Sequence, residues 1–170
     1  YHPSNSFIYL YGNMDMAEKL DWLDREYLSR YDRQPVDSAI ASQEAFASPV
    51  EKEIFYPITD AESEEQATYL SVNTVVGDDL DPALYMAFQI LEYVLIDAPG
   101  APLKEALIGA GIGQDIMGGY ENGILQPYFS VIAKNASKEQ KGEFLAVVKG
   151  TLRRLADQGI GEKTLLAGIN

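Results

Sequence analysis

The 170-residue sequence predicts an α+β fold, a mainly antiparallel sheet with helices packed on one face. Three observations carry this. Short β-prone runs are joined by hairpin signals, which imply antiparallel pairing. Two segments open on helix-capping residues and continue with apolar residues at helical spacing. The overall order is strand, helix, two strands, two helices, two strands, then helices, so the remaining returns to the sheet run through helices.

Taken in order, Phe7 to Tyr11 (FIYLY) is strongly β-prone, and Gly12-Asn13 ends it. Asp15 with Glu18 three residues later resembles a capping box, with Asp in place of Ser or Thr. Met16, Leu20, Leu23, Tyr27 and Tyr31 step at helical spacing and predict a buried stripe, with Trp22 on another face. Residues 32 to 50 hold no period and contain Pro35 and Pro49, so they predict a loop. Glu51 to Ile58 and Gln66 to Val76 predict a strand pair, joined through the acidic stretch Asp60 to Glu65.

Asp81-Pro82 starts a helix, with Asp as the cap and Pro in the first position, running to about Ile96. Pro99-Gly100 breaks it, and Pro102 opens a shorter helix through about Ala110. Asp115 to Tyr120 and Leu125 to Lys134 predict a hairpin across Glu121-Asn122-Gly123. Ser137 and Gln140 form a second capping box. Phe144, Val148, Leu152 and Leu155 mark the buried face of the helix that follows, which Gly159 stops. Gly161 to Asn170 begins another helix.

Composition narrows the function. Hydrophobic residues make up 46% and aromatics 11% of the chain, which is enough for a core and argues against disorder. A formal net charge of -13 repels phosphate backbones and anionic membrane surfaces, so nucleic acid and membrane are poor partners. Basic or extended peptides suit such a surface, but acidity by itself mostly means solubility, which is the plainer reading. Without cysteine there is no disulfide or thiolate chemistry, and the compartment stays open, with the cytoplasm favoured. No apolar run reaches the roughly 20 residues of a membrane span. The start, Tyr1-His2-Pro3-Ser4-Asn5, is not signal-like and lacks an initiator methionine, so the chain reads as one domain, residues 1–170, cut from a longer protein.

Several motifs have plainer readings. His2 is the one histidine, so neither a two-histidine metal site nor a Ser-His-Asp triad has a ready supply, and it reads as a linker residue. Gly109-Ala110-Gly111-Ile112-Gly113 hints at a phosphate loop. It follows a helix, however, and Gln114 stands where a dinucleotide fingerprint needs its third glycine, so it reads as a helix C-cap. Asp60, Glu62, Glu64 and Glu65, and separately Asp78, Asp79 and Asp81, match no calcium-loop spacing and read as a solvated turn and a helix cap. No metal site is expected. Gly118-Gly119 inside a strand pattern marks a bulge or a close backbone approach.

Four passages in order carry a family resemblance: YHPSNSFIYLYGNMD (1–15), SPVEKEIFYPI (48–58) followed by ATYLSVNTVVG, FQILEYVLIDAPGAPLKEALIGAGIG (88–113) and DIMGGYENGILQPYFSVIAKN (115–135). Together they resemble the second, non-catalytic domain of the N-terminal half of insulinase/pitrilysin zinc peptidases. Leu125 to Ser130 (LQPYFS) points to the presequence-protease branch. The resemblance implies a metalloprotease LuxS/MPP-like fold. It also implies a parent that degrades peptides inside a chamber built from two halves. The family's inverted HxxEH zinc motif is missing here and belongs in the preceding domain, so the resemblance implies no cofactor in this chain and zinc in the parent. The implied partners are other domains of the same chain and peptide substrates. In insulin-degrading relatives the strand matching Ile116, Met117, Gly118 and Gly119 forms an exosite that anchors the substrate's N-terminal end, with Asp97 to Ala101 near the matching loop. Two other readings stand beside this one: a structural relative without peptidase activity, and a self-contained α+β binding module that dimerises through a sheet edge.

Overall fold

The computed structural model describes residues 2–60, 63–78 and 81–169, with the side chain of Glu64 excepted. The chain divides into two compact units, Tyr1–Ala45 and Phe46–Asn170.

In the first unit, Asp15 caps helix α1 (Met16–Glu26) by accepting a bond from the Glu18 N–H at 3.1 Å. The predicted stripe of α1 is not buried: no residue of the helix is, and Tyr31 lies beyond its end at Glu26. Tyr27 and Tyr31 pack edge to face instead, 5.5 Å apart. Phe7 to Tyr11 makes no strand, and Phe7, Tyr9 and Tyr11 stand in solvent. β-propensity measures the fit to a pleated, half-buried surface, and no described strand pairs with this run to supply one.

The second unit is α+β. Strands β1 (Thr68–Val75), β2 (Asp115–Glu121) and β3 (Tyr128–Ala136) form an antiparallel sheet in the order β1-β3-β2. The register aligns rows across the sheet: Leu70, Ala133 and Ile116, then Val72, Val131 and Gly118. These rows face the helices. On the opposite face run Ser71, Ile132 and Met117, then Asn73, Ser130 and Gly119, where Ser130 Oγ bonds Asn73 Oδ1 at 2.6 Å.

The predicted strand Glu51 to Ile58 is absent. That run lacks alternation, with Ile54 and Phe55 adjacent and both exposed. Its polar groups hold it instead: Glu51 pairs with Lys141 at 2.7 Å, Glu53 pairs with Lys138 at 2.5 Å, and the Tyr56 hydroxyl donates to the Ala67 carbonyl. Of the predicted connection from Asp60 to Glu65, Ala61 and Glu62 lie outside the described residues, and a tight turn occupies Glu64–Gln66. The β2–β3 hairpin forms, but residues 122–127 link it rather than a two-residue Asn-Gly turn. The β2–β3 ladder stops at the Glu121–Tyr128 pair, and Pro127, just outside it, gives its carbonyl to the Val76 N–H on the β1 side at 2.9 Å.

Asp81 caps helix α2 (Pro82–Glu92), its carboxylate accepting from the N–H groups of Ala83 and Leu84 at 3.0 Å each. The helix then widens into a π turn over Tyr93–Asp97, closed by the Ala98 N–H bonding the Tyr93 carbonyl at 2.7 Å. The widened turn buries three successive side chains, Val94, Leu95 and Ile96. Helix α3 (Pro102–Gly109) adds Leu103 and Leu107 to the core. Gly111 and Gly113, both at positive φ, turn the chain back into the sheet, and Gln114 N–H bonds the Lys134 carbonyl.

The capping box at Ser137 and Gln140 is present and leads into helix α4 (Lys141–Gln158). Its buried face is Phe144, Val148 and Thr151, not Leu152, which is 38% exposed. The spacing explains this: steps of four and three stay on one helical stripe, while eight residues from Phe144 drift off it. Gly159 ends α4 at φ 82, and helix α5 (Glu162–Ile169) packs Gly168 close against Val94.

Candidate functional site

Among the described residues β2 pairs only with β3, so its other side is a sheet edge. The structure brings all four predicted site residues onto that strand but gives them different surroundings. Ile116 is 2% exposed and belongs to the core. Met117 projects from the helix-free face and is 37% exposed. A Cβ on Gly118 would overlap the end of the Ile96 side chain and the Ser130 carbonyl oxygen. Packing alone therefore requires glycine there. Gly119 is open: a Cβ would meet Glu92 Oε1 at an ordinary 3.6 Å. Gly118 and Gly119 thus present backbone at this edge, with no side chain. Asp97 closes the π turn beside this strand, and Ala98 and Ala101 are buried at the entry to α3.

One residue of the site was not singled out in the sequence. Glu92, the last residue of α2, lies beside β2, its Oε1 3.6 Å from where a Cβ on Gly119 would stand. Partial burial pushes the Glu92 carboxyl up from its ordinary value, the nearby Tyr120 backbone opposes that, and the charge of Asp97 adds to it. A signal was present: Glu92 is the only charged residue from Pro82 to Ile96. Earlier on α2, Tyr85 and Phe88 join Tyr120 and Phe129 in a ring cluster with centroids 5.5 to 6.0 Å apart, which fixes the middle of α2 against β2 and β3.

The other sequence candidates have structural roles. His2 Nδ1 accepts the Ser4 N–H at 3.1 Å, and its ring meets Tyr31 edge-on at 5.4 Å. Asp81 is the α2 cap. Glu62 and Asp79 lie outside the described residues. No group of three or more His, Cys, Asp or Glu that could hold a metal occurs among the described residues. With a single histidine tied to a local turn, the donor set does not fit a zinc site. Gly109 to Gly113 is a helix end: the Gly111 N–H bonds the Ile108 carbonyl at 2.9 Å, and Ile112 fills the core. Trp22 is half exposed on α1.

The model of the peptidase M16 inactive domain matches residues 1–170. Protein HypA of Clostridium perfringens is 41% identical over 170 residues, covering all of this chain and 18% of that protein. The mitochondrial presequence protease of Xenopus laevis is 29% identical over 163 residues, covering 94% of this chain and 16% of that protein. Presequence protease 1 (chloroplastic/mitochondrial) of Arabidopsis thaliana is 29% identical over 174 residues, covering 100% of this chain and 16% of that protein. The chain therefore spans less than a fifth of these curated relatives. With a family match along its whole length, this chain belongs to the insulinase superfamily as a non-catalytic domain of the peptidase M16 inactive-domain family.

Proposed function

We propose that this chain forms part of the chamber wall of a zinc metalloendopeptidase and anchors extended peptides along β2. The zinc and its ligands belong to another domain of the same protein, and this domain supplies binding. The observation that carries the reading is the open side of β2, with Gly118 and Gly119 at its middle. Glycines let a second backbone approach closely, and an edge strand offers the N–H and C=O groups that a peptide strand can pair with. Two further points support it. Relatives carry the name presequence protease, which favours peptide substrates. The charge of -13 favours basic peptides over acidic ones.

The test uses the full-length protein and two peptides that differ only by N-methyl groups on alternate backbone nitrogens. N-methylation removes the donors and adds bulk where strands pair. The methylated peptide is expected to bind at least about tenfold more weakly, the equivalent of one or two lost backbone bonds. Equal affinity would remove the anchoring strand from the reading. A full-length protein that cleaves neither peptide, with zinc supplied, would favour the structural relative instead.

A further inference from the structure

We propose that the run Glu51 to Ile58 is a strap poised to close on the free side of β1 as a fourth strand. The proposal stands apart from the anchoring reading above, which concerns the opposite edge of the sheet. Among the described residues β1 pairs only with β3, so its outer side is unpaired. The strap borders that side across an open groove of about 1440 Å³, with Leu70, Phe144 and Leu145 in its lining. On the strap, Ile54 is 81% exposed and Phe55 is 89% exposed. An unpaired strand edge invites association, and a large apolar side chain gains by leaving water. One movement of the strap answers both.

Contacts made by the open strap point to the register of the closed one. The Tyr56 hydroxyl donates to the Ala67 carbonyl, and the Tyr56 and Tyr69 rings meet edge to face with centroids 5.7 Å apart. With Tyr56 opposite Tyr69 in an antiparallel pair, Phe55 stands opposite Leu70, Ile54 opposite Ser71 and Glu53 opposite Val72. Residues directly opposite each other share a face of the sheet. Leu70 and Val72 face the helices, so Phe55 enters the groove beside Phe144 and Leu145. Ile54 extends the row of Ser71, Ile132 and Met117 on the helix-free face. A separate observation agrees with this alternation. Glu51 and Glu53 fall on the helix side with Phe55, and they pair with Lys141 and Lys138 around the start of α4. Both ion pairs are exposed and therefore hold weakly, so they tether the strap without fixing it. Pro57 has no N–H and ends the ladder just past Tyr56. Closure shuts the β1 edge to other strands and leaves β2 as the edge that stays open.

The chain has no cysteine, so an introduced pair reports closure without background. The experiment combines Ile54→Cys with Ser71→Cys in the 170-residue chain and follows disulfide formation under a mild oxidant. Both positions are exposed, so the substitutions leave the core intact. A disulfide needs Cα atoms about 4.4–6.8 Å apart, which opposite residues of paired strands meet. An internal disulfide in a monomeric chain is expected. It should form at least about tenfold faster than in a control combining Ile54→Cys with Asn73→Cys, which lies on the same face but two residues out of register. Adding Phe55→Ala to the first pair should slow the reaction at least about tenfold, because closure no longer buries the ring. Equal rates for the two pairs, or an unchanged rate with Phe55→Ala, overturn the strap. Disulfide-linked dimers as the main product overturn it too, and give the β1 edge to a second copy of the chain. Each of these results leaves the peptide test of β2 untouched.

Discussion

A Cβ placed on Gly118 collides with the backbone of Ser130, whereas one placed on Gly119 finds room. Two neighbouring glycines of one strand thus have different causes, the first in packing and the second in the open edge. Gly118→Ala is expected to cost about 1–3 kcal/mol, the usual range for overpacking, because a backbone oxygen cannot rotate away. Gly119→Ala should stay within about 0.5 kcal/mol of the wild type. Urea melts of both variants check this, and equal losses would mean that β2 does not run against Ser130 and Ile96 as described. Glu92 allows a second forecast. Its carboxyl is raised, chiefly by desolvation, so the folded state binds the proton more tightly than the unfolded state does. The destabilisation from its charge is therefore absent below the ordinary glutamate pKa and complete above the raised one. Glu92→Gln removes the charge and keeps an acceptor, so it should melt higher than the wild type near neutral pH. The gap should shrink as pH falls towards about 4, through the titration range of Glu92. A gap of the same size at about pH 4 and about pH 8 would show that the charge is not what Glu92→Gln relieves.

Elements that carry their own start and stop signals were legible in the sequence. Asp81-Pro82, the Ser137 and Gln140 box, Asp15 and Gly159 each act within one turn of chain, and each does in the structure what the residues imply. The elements that were misread depend on something further away. Phe7 to Tyr11 and Glu51 to Ile58 have strand-forming residues, but a strand exists only when another pairs with it, and the sequence does not name the partner. Leu152 was placed on the buried face of α4 by its hydrophobicity, yet the helical angle from Phe144 and Val148 selects Thr151. The candidate site divides the same way. Gly118-Gly119 announced itself as a local oddity in a strand. Glu92 did not, because it matters only where α2 ends beside β2, next to Gly119, which lies 27 residues later in sequence (119 − 92).

The two units of the molecule should differ in how readily they open. Phe46–Asn170 has a core that spans the sheet and three helices, with Leu103, Leu107, Ile112 and Ala133 fully enclosed. Its central strand β3 bonds neighbours on both sides, so exchange of its amides requires the sheet to come apart. Among the described residues of Tyr1–Ala45 the only long element is α1, an 11-residue helix without a buried residue. Helices shorter than about 12–15 residues are marginal in water unless packing holds them, and a single Asp15 cap adds only about 1 kcal/mol. Amides of α1 in this 170-residue chain are therefore expected to exchange at least about a thousandfold faster than those at the centre of β3, a difference of about 4 kcal/mol in opening free energy. Mass-spectrometric hydrogen exchange on the purified chain measures both at once. Equal protection of α1 and β3 would mean that Met16, Leu20 and Tyr27 have a partner surface after all. The same measurement on the longer protein separates two origins for that apolar stripe. Protection of α1 that appears only there would make the stripe a contact face for another domain, as the proposed wall role requires. Fast exchange in both would leave α1 a surface helix, and the binding role would rest on the β2 edge alone.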